Sequence, residues 1–304
     1  MAINLTKGGI IITTTLLILV SIPYVLPGYY TQLSITILTY IGLVTAWNII
    51  SGYAGYLFLG ATAFYGGGGY LAALIFWVLP YHVGVLVSGL VCGAIALVIG
   101  LPLLKIRGPY FAIASFVLSE ILRNLIYYLE HIFAGTVGRN LPTQDILTVY
   151  YMVIVMALAS VLTAYVIKKT RMGLALLSLR DDEDAAQACG VNTLLYKLFA
   201  FFITAFFMGS LGATTVARYG YIDAEGAFNP MTSLTTAVMG LIGGRGSFEG
   251  PLIGAFVISL LYELFFTAGN PYLFGMILAI LLAVVIMFAP SGLQGLIQRL
   301  AKKI

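Results

Sequence analysis

Charge is scarce in this chain of 304 residues: Asp, Glu, Lys and Arg make up 9%, where a soluble domain carries about 25%. That scarcity excludes an ordinary water-soluble fold. The net charge of +4 is no footprint for nucleic acid and reads as membrane topology. There are two histidines, His82 and His131, far apart in sequence. With no H-E-x-x-H and no cysteine–histidine cluster, no metal centre is expected, and no Ser/His/Asp constellation can be built. The two cysteines lie in unlike surroundings, Cys92 in an apolar run and Cys189 in a polar one, so no disulfide is expected. No G-x-x-x-x-G-K-[ST] phosphate loop occurs, so the chain is not expected to hydrolyse ATP or to hold a cofactor. No linker rich in proline or serine divides it, and residues 1–304 are expected to form one transmembrane domain.

Apolar residues, at 61%, fill what remains. They form continuous runs near 9–26, 31–49, 59–79, 83–104, 109–129, 146–167, 194–217, 231–245, 251–268 and 272–289. Continuous runs of this length indicate membrane helices, whereas a barrel would show short alternating segments. The expectation is an all-α polytopic protein with about ten transmembrane or re-entrant helices. The run 231–245 is short for a core that needs about 20 helical residues, so a broken or re-entrant element is expected there. The first run is expected to be a retained span, since no small-x-small cleavage site follows it.

Basic residues orient the spans. With the N-terminus inside, twelve of them fall on the cytoplasmic side: Lys7, Lys105, Arg107, Lys168, Lys169, Arg171, Arg180, Lys197, Arg245, Arg299, Lys302 and Lys303. Two, Arg139 and Arg218, fall outside, and Arg123 lies within a span. Both termini are then cytoplasmic.

One stretch resists this apolar character. Residues 168–197, KKTRMGLALLSLRDDEDAAQACGVNTLLYK, carry nine charges and cannot lie in hydrocarbon. Asp181, Asp182, Glu183 and Asp184 are expected at the start of a short helix, where carboxylates suit the positive end of the dipole. Ala185, Ala186 and Ala188 would give it a smooth face, with Gly190 as its stop and Asn192 just beyond. Such a helix suits a partner's groove, although a solvated loop helix has the same composition.

Glycine supplies the second signal. Residues 52–69, GYAGYLFLGATAFYGGGG, are expected to interrupt the junction of the second and third spans at Gly52, Gly55, Gly60 and Gly66 to Gly69. In GLIGGRGSFEGPLIG, Gly246, Gly250 and Gly254 are spaced by four and are expected to share one helix face, with Pro251 limiting that helix. Tight packing is the plain alternative for any one of these glycines. Glu120 and Arg123, three apart within a span, share a face and are either a structural pair or part of the solute path. Glu263 has no evident partner in sequence and is expected near the outer end of its helix.

The segment Asp184-Ala185-Ala186-x-x-x-Gly190 resembles the E-A-A-x-x-x-G loop of ABC-importer permeases. The chain as a whole resembles the LivM-type permeases of the branched-chain amino acid ABC transporter family. Three blocks carry the resemblance: Trp47 to Leu74, Arg107 to Leu125, and Arg180 to Leu261 with MGLIGGRGSFEGPLIGA. The resemblance implies the ABC-importer permease fold. It also implies a second homologous permease, two cytoplasmic ATP-binding subunits, an external solute-binding protein and a place in the bacterial or archaeal inner membrane. Coupling to the ATPase would fall to Arg180, Asp181, Asp182, Glu183, Asp184, Ala185, Ala186, Gly190 and Asn192. Candidates for the pathway or its hinges are Asn48, Gly52, Gly55, Gly60, Glu120, Arg123, Gly243, Gly244, Gly246 and Gly250. Tyr56, where the family usually has glutamine, Ala61, where it often has histidine, and AGTVGRNLP at 134–142 depart from the family pattern. All three are expected on the substrate side.

The expected function is therefore the permease subunit of an ATP-driven importer for branched-chain amino acids or a similar small polar solute. The alternatives are an ion-coupled secondary transporter, for which Glu120 is the chief protonatable group within the spans, and a channel, which has no evident use for the acidic helix.

Overall fold

The computed structural model describes residues 17, 19–133, 135, 137–267 and 271–288. The apolar runs form helices: α1 Gly28–Asn48, α2 Ala61–Ile75, α3 Tyr81–Leu103, α4 Pro109–Phe133, α5 Ile146–Lys169, α6 Arg171–Asp181 and α7 Glu183–Ala188. After these come α8 Thr193–Val216, α9 Ala224–Ala227, α10 Pro230–Gly243, α11 Glu249–Thr267 and α12 Pro271–Phe288. Among the described residues, five helical segments are long and apolar enough to cross a bilayer: Gly28–Tyr53, α3, α4, α5 and α8.

The count of ten spans is not reproduced among the described residues. Half of the run 9–26 lies outside them; its residues 19–25 are helical and lie along α5, where Tyr150 and Tyr151 donate to the carbonyls of Leu19 and Val20. The run 59–79 yields only the 15 residues of α2, and 231–245 only the 14 of α10. At about 1.5 Å per residue, neither crosses a core about 30 Å thick.

Helix α8 organises the bundle. It packs along α3 and α2 and also touches α1 and α5, and every residue from Phe207 to Ala217 is buried. A helix that is apolar all round belongs inside. Here small residues let it sink: Gly68 and Gly209 meet backbone to backbone, as do Gly212 and Tyr65. The run Gly66 to Gly69 therefore interrupts nothing. It lies within α2 and serves packing, which corrects the expectation of a break there.

The interruption itself falls earlier. After Asn48, residues Ile49–Tyr53 make a π-helical turn, and the chain then runs without regular structure to Gly60. Irregular backbone inside a membrane must find partners within the protein. Trp47 Nε1 donates to the Phe58 carbonyl at 2.6 Å, while Phe58 N and Leu59 N donate to Ser51 Oγ and Ser115 Oγ.

The loops gather at two ends. At one, residues 53–58, 104–108, 180–197 and 244–248 are joined by hydrogen bonds and ion pairs. At the other, Arg139–Asn140 (β1) pairs antiparallel with Tyr221–Ile222 (β2), register Arg139↔Ile222 and Asn140↔Tyr221. Glu130, 2% exposed, anchors this ribbon. It accepts hydrogen bonds from Gly138 N and Tyr70 Oη and pairs with Arg139 at 3.4 Å. The sequence carries no pattern long enough to announce a two-residue strand. Cys92 is buried, Cys189 exposed, and both are free thiols. His82 and His131 sit in the first turn of α3 and the last turn of α4.

Candidate functional site

The polar stretch 168–197 folds as two short helices and the start of a third. α6 ends at Asp181, so Asp181 closes that helix and does not open the next, correcting the expectation. Asp182 is the N-cap of α7: its Oδ1 accepts from Asp184 N at 2.9 Å and Ala185 N at 3.0 Å, satisfying donors that the first turn would leave free. Gly190, at φ +86°, takes the left-handed conformation that ends the helix. Asn192 caps α8 through Leu195 N. The expected alanine face is divided: Ala185 and Ala188 are exposed, while Ala186 is buried against its own chain at 5% exposure.

Glu183 does not face a partner either. Its side chain turns inward to a closed network. Lys197 Nζ donates to Glu183 Oε1 at 2.6 Å, to the Leu104 carbonyl at 3.0 Å and to Tyr56 Oη at 3.0 Å. Tyr56 Oη in turn donates to Glu183 Oε2 at 2.5 Å. All three ammonium protons of a buried lysine are thus used. Burial alone would raise the Glu183 carboxyl, but hydrogen bonds from Lys197 and Tyr56 and the charges of Lys197 and Arg107 hold it below the usual carboxylate range. Burial, and then Glu183, push the Tyr56 phenol up. Arg107 clamps the exposed side, reaching Asp184 at 3.0 Å and Glu183 at 3.5 Å, and these carboxylates raise its own pKa further.

Tyr56 therefore lies at the end that carries α6 and α7. Lys197, Tyr56 and Arg107 were absent from the expected site. A signal for Lys197 was present: a lone lysine following Leu194-Leu195-Tyr196 at the head of an apolar helix is costly unless it is paired.

Several hinge candidates do converge here. Asn48, 1% exposed, bridges the π-turn to the loop after α10: its Oδ1 accepts from Gly246 N and its Nδ2 donates to the Ser247 carbonyl, both at 2.8 Å. Arg180 Nη1 donates to the Gly52 carbonyl at 3.2 Å, and its side chain lies against Gly55 and Gly246. Gly243, Gly250 and Gly254 form the α10–α11 crossing. Gly244 and Gly246 lie in the turn between those helices with positive φ, so Gly246 does not share a helix face with Gly250 and Gly254. Pro251 falls in the first turn of α11, where a missing N–H is tolerated. Gly60 precedes α2 and abuts Ser115 of α4. Glu120 and Arg123 stand apart from this cluster and pair with each other at 2.6 Å.

Asn48→Ala should separate the two interrupted segments. It strands one donor and one acceptor that are only partly reachable by water, an expected loss of about 1–3 kcal/mol. The thermal midpoint of the detergent-solubilised protein checks this; an unchanged midpoint would show that the bridge carries no weight.

Interrupted helices that meet where polar loops gather, among helices long and apolar enough to cross a bilayer, define a class: a membrane transport permease. Residues 29–286 match the family described as "Branched-chain amino acid transport system / permease component", and the chain belongs to that family of ABC-transporter permeases. It is similar to the high-affinity branched-chain amino acid transport system permease protein LivM of Salmonella typhimurium, 25% identical over 85% of this chain and 68% of that protein. The Escherichia coli protein of the same name is 24% identical over the same shares. A shorter stretch, 36% of this chain and 32% of the relative, is 32% identical to the fructose import permease FrcC of Rhizobium meliloti. No solved structure matches.

Proposed function

We propose that this chain is the membrane-spanning subunit of an ATP-driven importer in the inner membrane, carrying branched-chain amino acids or a similar small polar solute. Its partners are a second homologous permease, two cytoplasmic ATP-binding subunits and an external solute-binding protein. The end bearing α6 and α7 faces the cytoplasm, where most of the basic residues gather, and the ribbon end faces outward. α7 is the coupling helix, and residues 1–304 act as one transmembrane domain.

One observation carries the reading. α7 and the turn after it present exposed residues, Asp184, Ala185 and Gln187 to Gly190, while Glu183 is keyed through Lys197 and Tyr56 to the loop that follows the π-turn. A push on α7 thereby reaches the interrupted helix through charge-assisted bonds. Discrete arrangements of such broken helices can open a path to one side at a time.

Gly190 provides the test. A Cβ there would meet no atom within 4 Å, so Gly190→Leu costs the chain only left-handed backbone strain of about 1–2 kcal/mol. The variant should reach the membrane at close to normal level yet lose most ATP-driven uptake, because the added side chain occupies the docking face. Normal uptake at normal protein level would remove α7 from the coupling role.

A further inference from the structure

Of the five spans, α4 is the least buried within the chain and also the least apolar. Its own chain covers 17% of its apolar stretch, against 44% to 67% in the other four. Lipid asks for the opposite, since the span most turned to hydrocarbon should be the most apolar.

The uncovered face is a stripe along the helix. Ile113, Val117, Ile121 and Asn124 follow one another at helical spacing, and all are exposed. Glu120 and Arg123 stand beside that stripe near mid-span, the twelfth and fifteenth of the 25 residues of α4. Arg123 Nη2 meets Glu120 Oε2 at 2.6 Å, yet the two side chains stay 32% and 26% exposed. Neither forms a second ion pair among the described residues. A guanidinium has five N–H donors, so one carboxylate leaves most of them to be met from outside the chain. An ion pair at mid-span is costly to turn toward hydrocarbon, and charged residues in spans face protein or a water-filled cavity. The neighbours decide between those two. Ile113, Val117 and Ile121 suit another helix better than water, and polar groups at mid-depth hold membrane helices together.

We infer that this face of α4 is the surface on which the second permease of the importer packs, its facing helix resting on Val117 and Ile121 and meeting Glu120 and Arg123 with groups of its own. Because the face carries both signs, a homologous helix of like composition complements it: a carboxylate there meets Arg123 and a cation there meets Glu120. The inference rests on the importer reading for the existence of that partner and names the surface of this chain that it covers.

The test is photo-crosslinking in intact cells that make the whole transporter. With p-benzoylphenylalanine in place of Val117, illumination should join the chain to a second permease, identified by mass spectrometry as another copy of this chain or another member of its family. The same group in place of Leu90, exposed in the more apolar α3, should capture no permease. Adduct at Val117 with lipid alone, with no protein, or with a protein outside the permease family would each overturn the assignment, as would equal capture of the permease from Leu90. A second measurement reads the charges. Glu120→Leu with Arg123→Leu suits a lipid-facing surface and should leave the level of the chain in the membrane close to normal. It should nevertheless make the permease pair fall apart in mild detergent at about tenfold higher concentration, as loss of an interface anchor does. Pairing at wild-type strength would remove Glu120 and Arg123 from the interface. The crosslink uses neither variant, so it decides even if the double variant folds poorly. A chain whose Gly190 variant loses uptake as expected, but whose Val117 captures only lipid, would fail here and leave the importer reading standing.

Discussion

Gly212→Val should remove most of the folded protein from the membrane, whereas Gly67→Val should be tolerated. The contrast follows from where a side chain would go. A Cβ on Gly212 would lie 1.9 Å from the Tyr65 carbonyl oxygen, and one on Gly68 would lie 2.1 Å from that of Gly209. These are backbone atoms of the facing helix and cannot swing aside, so α2 and α8 would have to separate. A Cβ on Gly67 would meet only Cys92 Sγ, at 4.0 Å. Helices in lipid gain little from the hydrophobic effect on associating and depend on close packing. Overpacking commonly costs 1–3 kcal/mol and sometimes more, and forcing apart the central helix belongs at the upper end or beyond. Against a total stability of about 5–15 kcal/mol, that is a large fraction. The monodisperse fraction recovered in mild detergent, relative to wild type, is the measurement. Equal recovery of the Gly212 and Gly67 variants would refute the idea that α8 is held by backbone contact.

This packing shows why the fold was legible in outline but not in register. Continuous apolar runs reveal membrane helices because the period of the backbone does not matter when all faces are apolar. The same uniformity hides which glycines break a helix and which pack one. Gly66 to Gly69 read like a break because glycine disfavours helix, by about 1 kcal/mol each, yet they lie inside α2, where the backbone approach of Gly68 to Gly209 and of Gly66 to Ala227 offsets part of that cost. The real break, at Ile49–Tyr53 and the irregular stretch to Gly60, holds the expected Gly52, Gly55 and Gly60 but begins at ordinary residues, Ile49, Ile50 and Ser51. Its stitching comes from partners as distant as Ser115 and Ser247.

The site divides in the same way. Local chemistry was readable: an acidic start to a short helix and its stop at Gly190 are set within a few residues of one another. The boundary between α6 and α7 was misjudged at Asp181, since four adjacent acidic residues do not show which one adopts the extended cap conformation. Long-range partners were out of reach. Tyr56 and Glu183 stand 127 positions apart, and Asn48 and Gly246 stand 198 apart; no spacing rule joins them. Tyr56 was noticed only as a departure from a family pattern, with no partner assigned to it. Its meaning appears once the chain has folded.

Lys197→Met should show whether that network transmits force or merely stabilises the chain. Methionine keeps the length and apolar stem of the lysine and removes the ammonium. Glu183, whose side chain is 12% exposed, then keeps Tyr56 and the more distant Arg107 but loses its nearest cation. Removing one member of a buried pair typically costs about 3–5 kcal/mol, so a large fall in thermal midpoint is expected. The sign of the pH dependence follows from the lowered Glu183 carboxyl. Its stabilisation is complete above the unfolded carboxyl value of about 4.3 and is lost as pH falls through the lower folded value. The gap between wild type and variant should therefore be constant near neutrality and narrow in acid. Adding Glu183→Gln to Lys197→Met removes the stranded charge and should restore much of the midpoint, since neutralising both members of such a pair is often nearly free. Uptake is where the two roles part. If the network carries motion from α7 to the π-turn, the double variant should be stable and still import poorly, with more ATP hydrolysed per solute moved than in wild type. Recovery of stability and uptake together would make the network a structural clasp and leave the path from α7 to the interrupted helix to be sought through Arg180 and Gly52.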